Sequence, residues 1–286
     1  MSGATGFVGL PLSHALQGAG WRVIPLDRRS FAGSAAALAE QLNGVQGVIN
    51  LAGAPIVGRW TAAYKKTLLE SRVGLTRRLI EAMALMPERP KFFISTSAVG
   101  YYAEGRRQTE EDHVQADGFL GRLTREWEQE AWGARDLCIR TVIFRLGVVL
   151  GPNGGALKEM LPPFRLGLGG NIGSGRQAFS WIHRDDLIRA YLTAVTDSSW
   201  EGVYNLTAPQ PTTNTGLTRA LGAALNRPTR LSVPEFALKL RFGEGASVLT
   251  RGQEVIPQRL LEAGFQFTYT TIDQAVRQCL AAWSSS

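Results

Sequence analysis

Three glycines spaced three residues apart, Gly3, Gly6 and Gly9, constrain the fold of this chain more than any other feature. A helical apolar pattern follows them, and then a short apolar stretch, Val23–Leu26, ends at Asp27. A strand that turns sharply into a helix needs glycines where its backbone approaches a pyrophosphate, and the helix N-terminus favours the negative charge. The spacing in this context predicts a dinucleotide-binding β-α-β unit, with a glycine-rich turn without a ligand as the alternative.

Apolar stretches continue to alternate with amphipathic helical patterns. The further predicted strands are Val45–Leu51, Phe92–Thr96 and Thr141–Leu150. Near-continuous apolar strands separated by helices are typical of a parallel sheet covered on both faces. We predict an α/β protein with a Rossmann-type doubly wound parallel sheet in residues 1–157 and 180–206. Residues 158–179 and 207–286 are predicted to form a smaller C-terminal lobe on the substrate side.

Composition excludes several classes of protein. Hydrophobic residues are 44% and charged residues 19% of the chain, which excludes intrinsic disorder. The net charge of +7 comes from basic residues that occur in pairs rather than runs, so we expect no nucleic-acid partner. No apolar run has the length of a membrane span, and no secretory leader is evident. Cys138 and Cys279 make no disulfide framework or metal cluster, so we expect no metal and a cytoplasmic location, or the plastid stroma if the source is a plant.

Only Met1 and Ser2 precede Gly3, where a doubly wound sheet has its central strand. We therefore expect a few additional apolar residues ahead of Met1 in the functional chain. The alternative is an unusually short first strand. The sequence leaves the oligomeric state open.

The end of the second predicted strand bears on the choice of dinucleotide. A carboxylate such as that of Asp27 accepts hydrogen bonds from a ribose and repels a 2′-phosphate, whereas an arginine such as Arg28 pairs with that phosphate. Because Arg29 adds further positive charge, we predict NADP as the cofactor, with NAD as the alternative. Arg28 and Arg29 in a solvated loop would be the simpler explanation.

Three motifs together resemble the extended short-chain dehydrogenase/reductases: the glycine motif, Asn50-Leu51-Ala52-Gly53 and Ser95-Thr96-Ser97-Ala98. Within that superfamily, the chain is similar to the YfcH-like NAD-dependent epimerase family, which includes SulA-like and giant-chloroplast-type members. The stretches that carry this similarity are Glu70–Val73, Ala98–Tyr102, Arg145–Gly151, Phe164–Gly170, Gly173–Gly175, Trp181–Leu187, Asn205–Pro209, Gly252–Pro257 and Ala263–Phe265.

The resemblance implies a bound nicotinamide dinucleotide and a small-molecule substrate. The cofactor contacts that it implies are Gly3, Thr5, Gly6, Phe7, Gly9, Asp27, Arg28, Leu51, Ala52, Gly53, Arg72 and Val149. Arg72 has a simpler alternative, a surface ion pair with Glu70 or Glu126.

The superfamily's usual Tyr-x-x-x-Lys dyad is missing, because the matching positions are Phe119 and Leu123. Neither side chain can transfer a proton or carry a charge. We predict Ser97 and Tyr101 as the catalytic residues instead, with Tyr102 as a further source of a hydroxyl. The alternative is that both tyrosines only pack, with their hydroxyls bonded to the backbone.

Other candidates have simpler interpretations. His183 could act as an acid or base, although the resemblance implies a structural role. Asp185 and Asp186 could form a carboxylate pair, but an aspartate before Leu187 and Ile188 is more commonly a helix N-cap, and we predict that role. Residues 167–175 contain five glycines and form either a lid over an anionic substrate or a long β-hairpin.

The leading hypothesis is therefore an NADP(H)-binding, atypical oxidoreductase or epimerase with an unknown small substrate. One alternative is a non-catalytic, dinucleotide-sensing or division-associated protein. Another is a nucleotide-sugar epimerase, which the missing dyad weakens.

Overall fold

The computed structural model describes residues 1–112 and 114–283, so the last three residues of the predicted lobe lie outside it. The helices are α1 (Gly9–Gly18), α2 (Ala35–Gln41), α3 (Ala62–Leu69), α4 (Leu75–Leu85), α5 (Gly118–Asp136), α6 (Gly155–Arg165), α7 (Arg184–Thr196), α8 (Asn214–Leu225), α9 (Glu235–Phe242), α10 (Ser247–Thr250), α11 (Gln258–Glu262) and α12 (Ile272–Trp283). The strands are β1 (Gly47–Asn50), β2 (Phe92–Ala98), β3 (Arg107–Gln108), β4 (Arg140–Leu146), β5 (Val148–Leu150), β6 (Ala178–Phe179), β7 (Trp181–His183), β8 (Gly202–Leu206), β9 (Thr212–Thr213) and β10 (Glu254–Val255). A π-helical turn, Glu70–Gly74, joins α3 to α4, and a 3₁₀ turn, Val99–Tyr101, follows β2.

A parallel sheet in the order β1-β2-β4-β8 forms the centre of the molecule. Successive side chains along its strands point to two different apolar cores. Phe92 and Ile94 face the core beneath α1 and α7, whereas Phe93 faces the core beneath α2, α4 and α5. Because both faces are covered, the strands are apolar along almost their whole length. The predicted Rossmann-type α/β fold is confirmed.

The predicted strand Val23–Leu26 is wrong except for its last residue. Leu26 forms an isolated bridge to Ser2, and Ser2 forms another to Asn50. The Leu26 amide donates to the Met1 carbonyl at 2.8 Å, and the Ser2 amide donates to the Ile49 carbonyl at 3.0 Å. Met1 and Ser2 thus lie in space between Leu26 and β1. A cavity of about 370 Å³ lies beside Met1, and its lining includes Trp21 and Val23. Residues 21–25 are not part of a strand, although the Met1 amino group donates to the Ile24 carbonyl at 2.7 Å.

The predicted strand Thr141–Leu150 is two strands in different sheets. β4 continues the central sheet, whereas β5 pairs with β7. The break falls at Gly147, whose amide donates to the Leu206 carbonyl at 3.1 Å. A Cβ at this residue would lie 2.7 Å from the Ser180 carbonyl oxygen, so only glycine allows the close approach at which the chain leaves the sheet.

A separate apolar core lies among β5, β7, α6, α8 and α12, and includes Leu150, Trp181 and Val276. The hairpin alternative for residues 167–175 is wrong: Ile172 bridges in parallel to the distant Val233, and the Gly173 amide donates to the Val233 carbonyl at 2.9 Å. Among the described helices, none combines the length and apolarity needed to cross a bilayer.

Candidate functional site

The glycine motif forms a tight turn that leads into α1. The Gly6 amide donates to the Gly3 carbonyl at 3.0 Å, and the Leu10 amide donates to the Gly6 carbonyl at the same distance. A Cβ at Gly9 would lie 2.0 Å from the Gly3 oxygen, so the turn closes only with glycine there. A side chain on Gly6 would instead project to the exposed side, where its nearest neighbour within 4 Å is the Gly3 oxygen.

The N-terminus of α1 is open to an anion. No side chain caps it, and its first turn contains no acidic residue. Thr5 is exposed beside it, whereas Phe7 turns toward the segment that leads from β5 into α6, where a Cβ on Gly155 would lie 2.5 Å from the Phe7 ring. This contact brings Val149 and the segment after it beside the glycine turn. Free amides and the helix dipole there favour a phosphate.

A chain of buried neutral groups fixes the loop after β1. Ser2 Oγ donates to Asn50 Oδ1 at 2.6 Å and accepts from the amides of Leu51 and Ala52, each at 3.2 Å. Asn50 Nδ2 donates to Thr76 Oγ1 at 2.9 Å. The loop is therefore held at the carboxyl edge of the sheet beside Gly3, whose ideal Cβ would lie 3.0 Å from the Leu51 carbonyl carbon.

Arg72 lies beneath this loop, on the π-helical turn. Its Nη2 donates to the Ala54 carbonyl at 2.9 Å, and its guanidinium carbon lies 5.5 Å from the centre of the Trp127 ring. A Cβ on Gly53 would lie 3.0 Å from that carbon. Burial lowers the pKa of Arg72 to about 10. Single π turns occur frequently at functional sites.

The alternative role of Arg72, an ion pair with Glu70 or Glu126, is wrong. In the part of the chain that the structure describes, Arg72 forms no salt bridge, and Glu126 lies 4.0 Å from Arg122 instead. An arginine that is largely desolvated and lacks a carboxylate partner remains available to a ligand.

Asp27 turns its carboxylate back into its own loop. Oδ1 accepts from the Arg29 amide at 2.8 Å and from the Ser30 amide at 3.1 Å. These hydrogen bonds, first that of Ser30 and then that of Arg29, lower the pKa of Asp27. Arg28 and Arg29 are both exposed on this turn.

Ser97 belongs to a second, charged network at the same sheet edge. Ser97 on β2, Arg145 on β4 and Asn205 on β8 lie side by side across the three strands. Ser97 Oγ donates to Glu128 Oε1 at 2.6 Å, and Arg145 donates to both Glu128 oxygens, at 2.8 and 2.7 Å. Glu128 and Arg145 have side chains that are only 5% exposed. An ion-paired carboxylate can only accept, so the Ser97 hydroxyl hydrogen is committed to Glu128.

Tyr101 and Tyr102 occupy different positions around this network. Tyr102 is fully buried; its hydroxyl accepts from Arg145 at 2.8 Å and donates to Asn205 Oδ1 at 2.8 Å. Burial raises its pKa to about 12. Tyr101 is half-buried, with the Arg145 guanidinium carbon 3.5 Å from its ring centre, and its hydroxyl accepts from Gln115 Nε2 at 3.0 Å. The backbone-bonded alternative for the two hydroxyls is therefore wrong.

The residues at the dyad positions lie in an apolar cluster. Phe119 and Leu123 pack with Trp60, Leu68 and Trp127, and the Trp60 and Phe119 rings meet edge to face at 5.2 Å. Phe119 is 5% exposed and Leu123 is 2% exposed. Neither Phe119 nor Leu123 can supply a proton at the positions of the usual dyad.

His183 caps α7, which corrects the expectation that Asp185 or Asp186 does so. Its Nδ1 accepts from the Asp185 amide at 3.2 Å, because the helix begins at Arg184 and both aspartates already lie in its first turn. Asp186 accepts instead from the amides of Thr268 and Tyr269, at 2.9 and 3.0 Å. Within residues 1–112 and 114–283, no cluster of three or more acidic, histidine or cysteine side chains is arranged to hold a metal.

The structure thus brings the predicted cofactor residues to one edge of the sheet and places Ser97 and Tyr101 farther along it. Sequence reasoning missed Glu128 as the partner of Ser97 and Arg145. A signal was present, since Arg145 is an ionisable residue within the otherwise apolar stretch Val142–Leu150, and such a residue needs a buried partner.

Comparisons with known proteins show which family this chain is similar to. The model of the "NAD dependent epimerase/dehydratase family" matches residues 1–207, and a "Domain of unknown function (DUF1731)" matches residues 233–279. The Arabidopsis thaliana "Epimerase family protein SDR39U1 homolog, chloroplastic" is 39% identical over 97% of this chain and 85% of its own length.

Two solved structures extend the comparison. The human epimerase family protein SDR39U1 (isoform 2), crystallised with NADPH, is 34% identical with a TM-score of 0.90 over 98% of each chain. A nucleoside-diphosphate sugar epimerase from Corynebacterium glutamicum is 30% identical with a TM-score of 0.77, over 99% of this chain and 57% of that one. The chain belongs to the NAD dependent epimerase/dehydratase family.

Proposed function

We propose that this protein binds NADP(H) and catalyses an oxidoreductase or epimerase reaction on a small molecule. The observation that carries the proposal is the shared sheet edge, where the glycine turn, the loop Leu51–Gly53 and the turn that ends at Tyr101 follow neighbouring strands. Ligands of open parallel sheets bind at that edge. The NADPH-bound human relative supports the choice of cofactor.

The residues fit a phosphorylated dinucleotide. The open side of Gly6 leaves room that a side chain would fill, and the uncapped N-terminus of α1 favours a pyrophosphate. Asp27 accepts hydrogen bonds from backbone amides, so Arg28 and Arg29 are the charged groups of its own loop that remain for the adenosine end. When bound, the cofactor supplies or accepts a hydride.

Tyr101 is the proton donor in this proposal. Gln115 donates to the Tyr101 oxygen, so the hydroxyl hydrogen of Tyr101 is not used in that contact and is free for a substrate oxygen. Arg145 stacks on the ring and holds its orientation. Ser97 donates to Glu128 and therefore can only accept a hydrogen bond from a substrate hydroxyl. Tyr101 transfers the proton and Ser97 orients the substrate.

Three finer assignments belong to the same proposal. Within its family, the chain is assigned to the YfcH-like branch on the motifs quoted above. Residues 1–157 with 180–206 form the cofactor-binding part, and residues 158–179 with 207–286 form the substrate-side lobe. The protein acts in the cytoplasm, or in the stroma if its source is a plant, as the chloroplastic name of the Arabidopsis relative suggests for that protein.

The test combines binding and turnover. NADPH is titrated by its fluorescence, and carbonyl compounds and nucleotide sugars are screened by the nicotinamide absorbance. With the first active substrate, we expect Tyr101→Phe to lower kcat by roughly 10²–10⁴-fold, the usual contribution of a general acid or base. NADPH affinity should stay unchanged. Tyr204→Phe is the matched control, because the Tyr204 hydroxyl contacts Arg259 rather than the site.

The outcomes separate the hypotheses. Failure to bind either NADPH or NADH would overturn the proposal. Binding of NADPH without turnover across the screen would favour the non-catalytic sensor. Equal turnover by the wild type and Tyr101→Phe would remove Tyr101 from the role of proton donor.

A further inference from the structure

The adenosine end of the site contains a basic side chain from a second helix. Arg78 of α4 donates from Nη1 to the carbonyl of Phe31, in the loop that begins at Asp27. Phe31 packs in the same core as Leu75 and Leu79 of α4, so an apolar contact holds the loop against this helix. The guanidinium is thereby placed at the loop while four of its five N–H groups remain for other partners.

This basic group lacks a counter-ion. Across residues 1–112 and 114–283, no carboxylate forms a salt bridge with Arg28, Arg29 or Arg78. The neighbouring Arg77 differs, since its Nε donates to Glu130 on α5 at 3.0 Å and that pairing raises the pKa of Arg77. The acidic residue nearest the loop, Asp27, is committed to the Arg29 and Ser30 amides. Three exposed arginines therefore lie at one turn, where the Asp27 carboxylate, whose pKa Arg29 helps to lower, offsets only part of their positive charge.

We propose that Arg78 helps to select NADP over NAD by pairing with the 2′-phosphate of the adenosine ribose, together with Arg28. This inference rests on the proposed binding of NADP(H). Leu26 and Asp27 follow the bridge to Ser2 and so stand beside the glycine turn, which is the adenosine side of a dinucleotide site. A dianionic phosphate matches the guanidinium geometry, and charge-assisted hydrogen bonds of this kind are among the stronger ones in proteins.

Asp27 has a different role under this inference. Its carboxylate organises the turn that presents Arg28, and it does not face the ribose. Asp27→Asn keeps an acceptor oxygen for the two amides, so we expect the preference for NADP to persist in that variant. A large gain in NADP affinity on this substitution would show that the carboxylate repels the phosphate, contrary to the inference.

The decisive experiment uses adenosine 2′,5′-bisphosphate and AMP as probes, titrated calorimetrically with the full chain. We expect Arg78→Ala to weaken the bisphosphate about tenfold and to leave AMP unchanged, since an exposed charged contact lies at the low end of such pairings. Arg77→Ala, the matched control, should change neither. The loss should shrink as ionic strength rises, because screening shortens the reach of exposed charges.

The outcomes distinguish this inference from the proposed function. If the wild type prefers NADPH and Arg78→Ala behaves like Arg77→Ala, Arg78 has no part in selection and the proposed function stands. If AMP and the bisphosphate weaken equally in Arg78→Ala, the residue supports the loop and does not pair with the phosphate. If the wild type binds no dinucleotide, the inference and the proposed function both fail.

Discussion

Two polar networks hold the same edge of the sheet in opposite ways. Ser2, Asn50 and Thr76 use neutral groups to fix the loop after β1, whereas Glu128 and Arg145 bury a pair of charges beneath Ser97. A neutral hydrogen bond contributes only about 1 kcal/mol net, but one partner of a buried ion pair cannot be lost without leaving an unbalanced charge. The loop after β1 thus depends on backbone shape, whereas the region around Ser97 depends on charge.

Helix α5 carries both the apolar cluster and one member of the charged network, Glu128, on adjacent faces. Phe119, Leu123 and Trp127 recur every four residues and share the face that packs against Trp60 and Leu68. Glu128 follows Trp127 by one residue and therefore lies on the adjacent face, toward β2 and β4. Since Phe119 and Leu123 are apolar, the polar groups near Ser97 come from Glu128 and from the ends of the strands.

Breaking the charged network should have the largest effect. Arg145→Met leaves Glu128 buried without its partner, and we expect a loss of about 3–5 kcal/mol in the free energy of unfolding, measured by urea denaturation. Adding Glu128→Leu to Arg145→Met should restore much of that loss, since an apolar pair carries no desolvation penalty.

Arg122→Ala is the control for this series. Its partner Glu126 is 4.0 Å away, and both side chains are exposed, so we expect a change below about 1 kcal/mol. A loss of similar size for Arg145→Met would mean that the network is not held by its charges.

Breaking the glycine turn should affect binding more than stability. Gly6→Val places a branched side chain on the open side of the turn, and we expect NADPH affinity to fall by more than tenfold, which is more than about 1.4 kcal/mol. Gly18→Val provides the matched control at the other end of α1, where a Cβ has no neighbour within 4 Å. Unchanged affinity in the folded Gly6→Val protein would remove the turn from the cofactor site.

The sequence predicted the parallel sheet and its carboxyl-edge loops because strand apolarity and glycine spacing are local signals. It did not predict that residues 21–25 form no strand, since strand formation depends on which segment lies beside them. Nor did it separate β4 from β5, because Gly147 interrupts the apolar run without changing its hydrophobicity. The pairing of Glu128 with Arg145 joins a helix to a strand 17 residues later, and no local periodicity encodes it.

Neither network includes His183, which should add its own contribution to the pH dependence of stability. The ring is fully buried, its centre lies 3.9 Å from that of the tilted Tyr269 ring, and its Nε2 lies 2.8 Å from Gln278 Oε1. Burial lowers the pKa of His183 below its usual 6.5, although Asp185 opposes the shift.

The unfolded chain therefore binds a proton at this residue more readily than the folded chain. Stability from His183 is complete above pH 6.5 and is lost as the pH falls below that value, with a slope of at most about 1.4 kcal/mol per pH unit. We expect unfolding free energies of the wild type and His183→Asn, measured from pH 8 to pH 5, to run parallel above pH 6.5 and to converge below it. Asparagine keeps an acceptor for the Asp185 amide but does not titrate. A constant difference across the whole range would show that His183 stays in one protonation state, and the acid response would then belong to titrating groups that both proteins share.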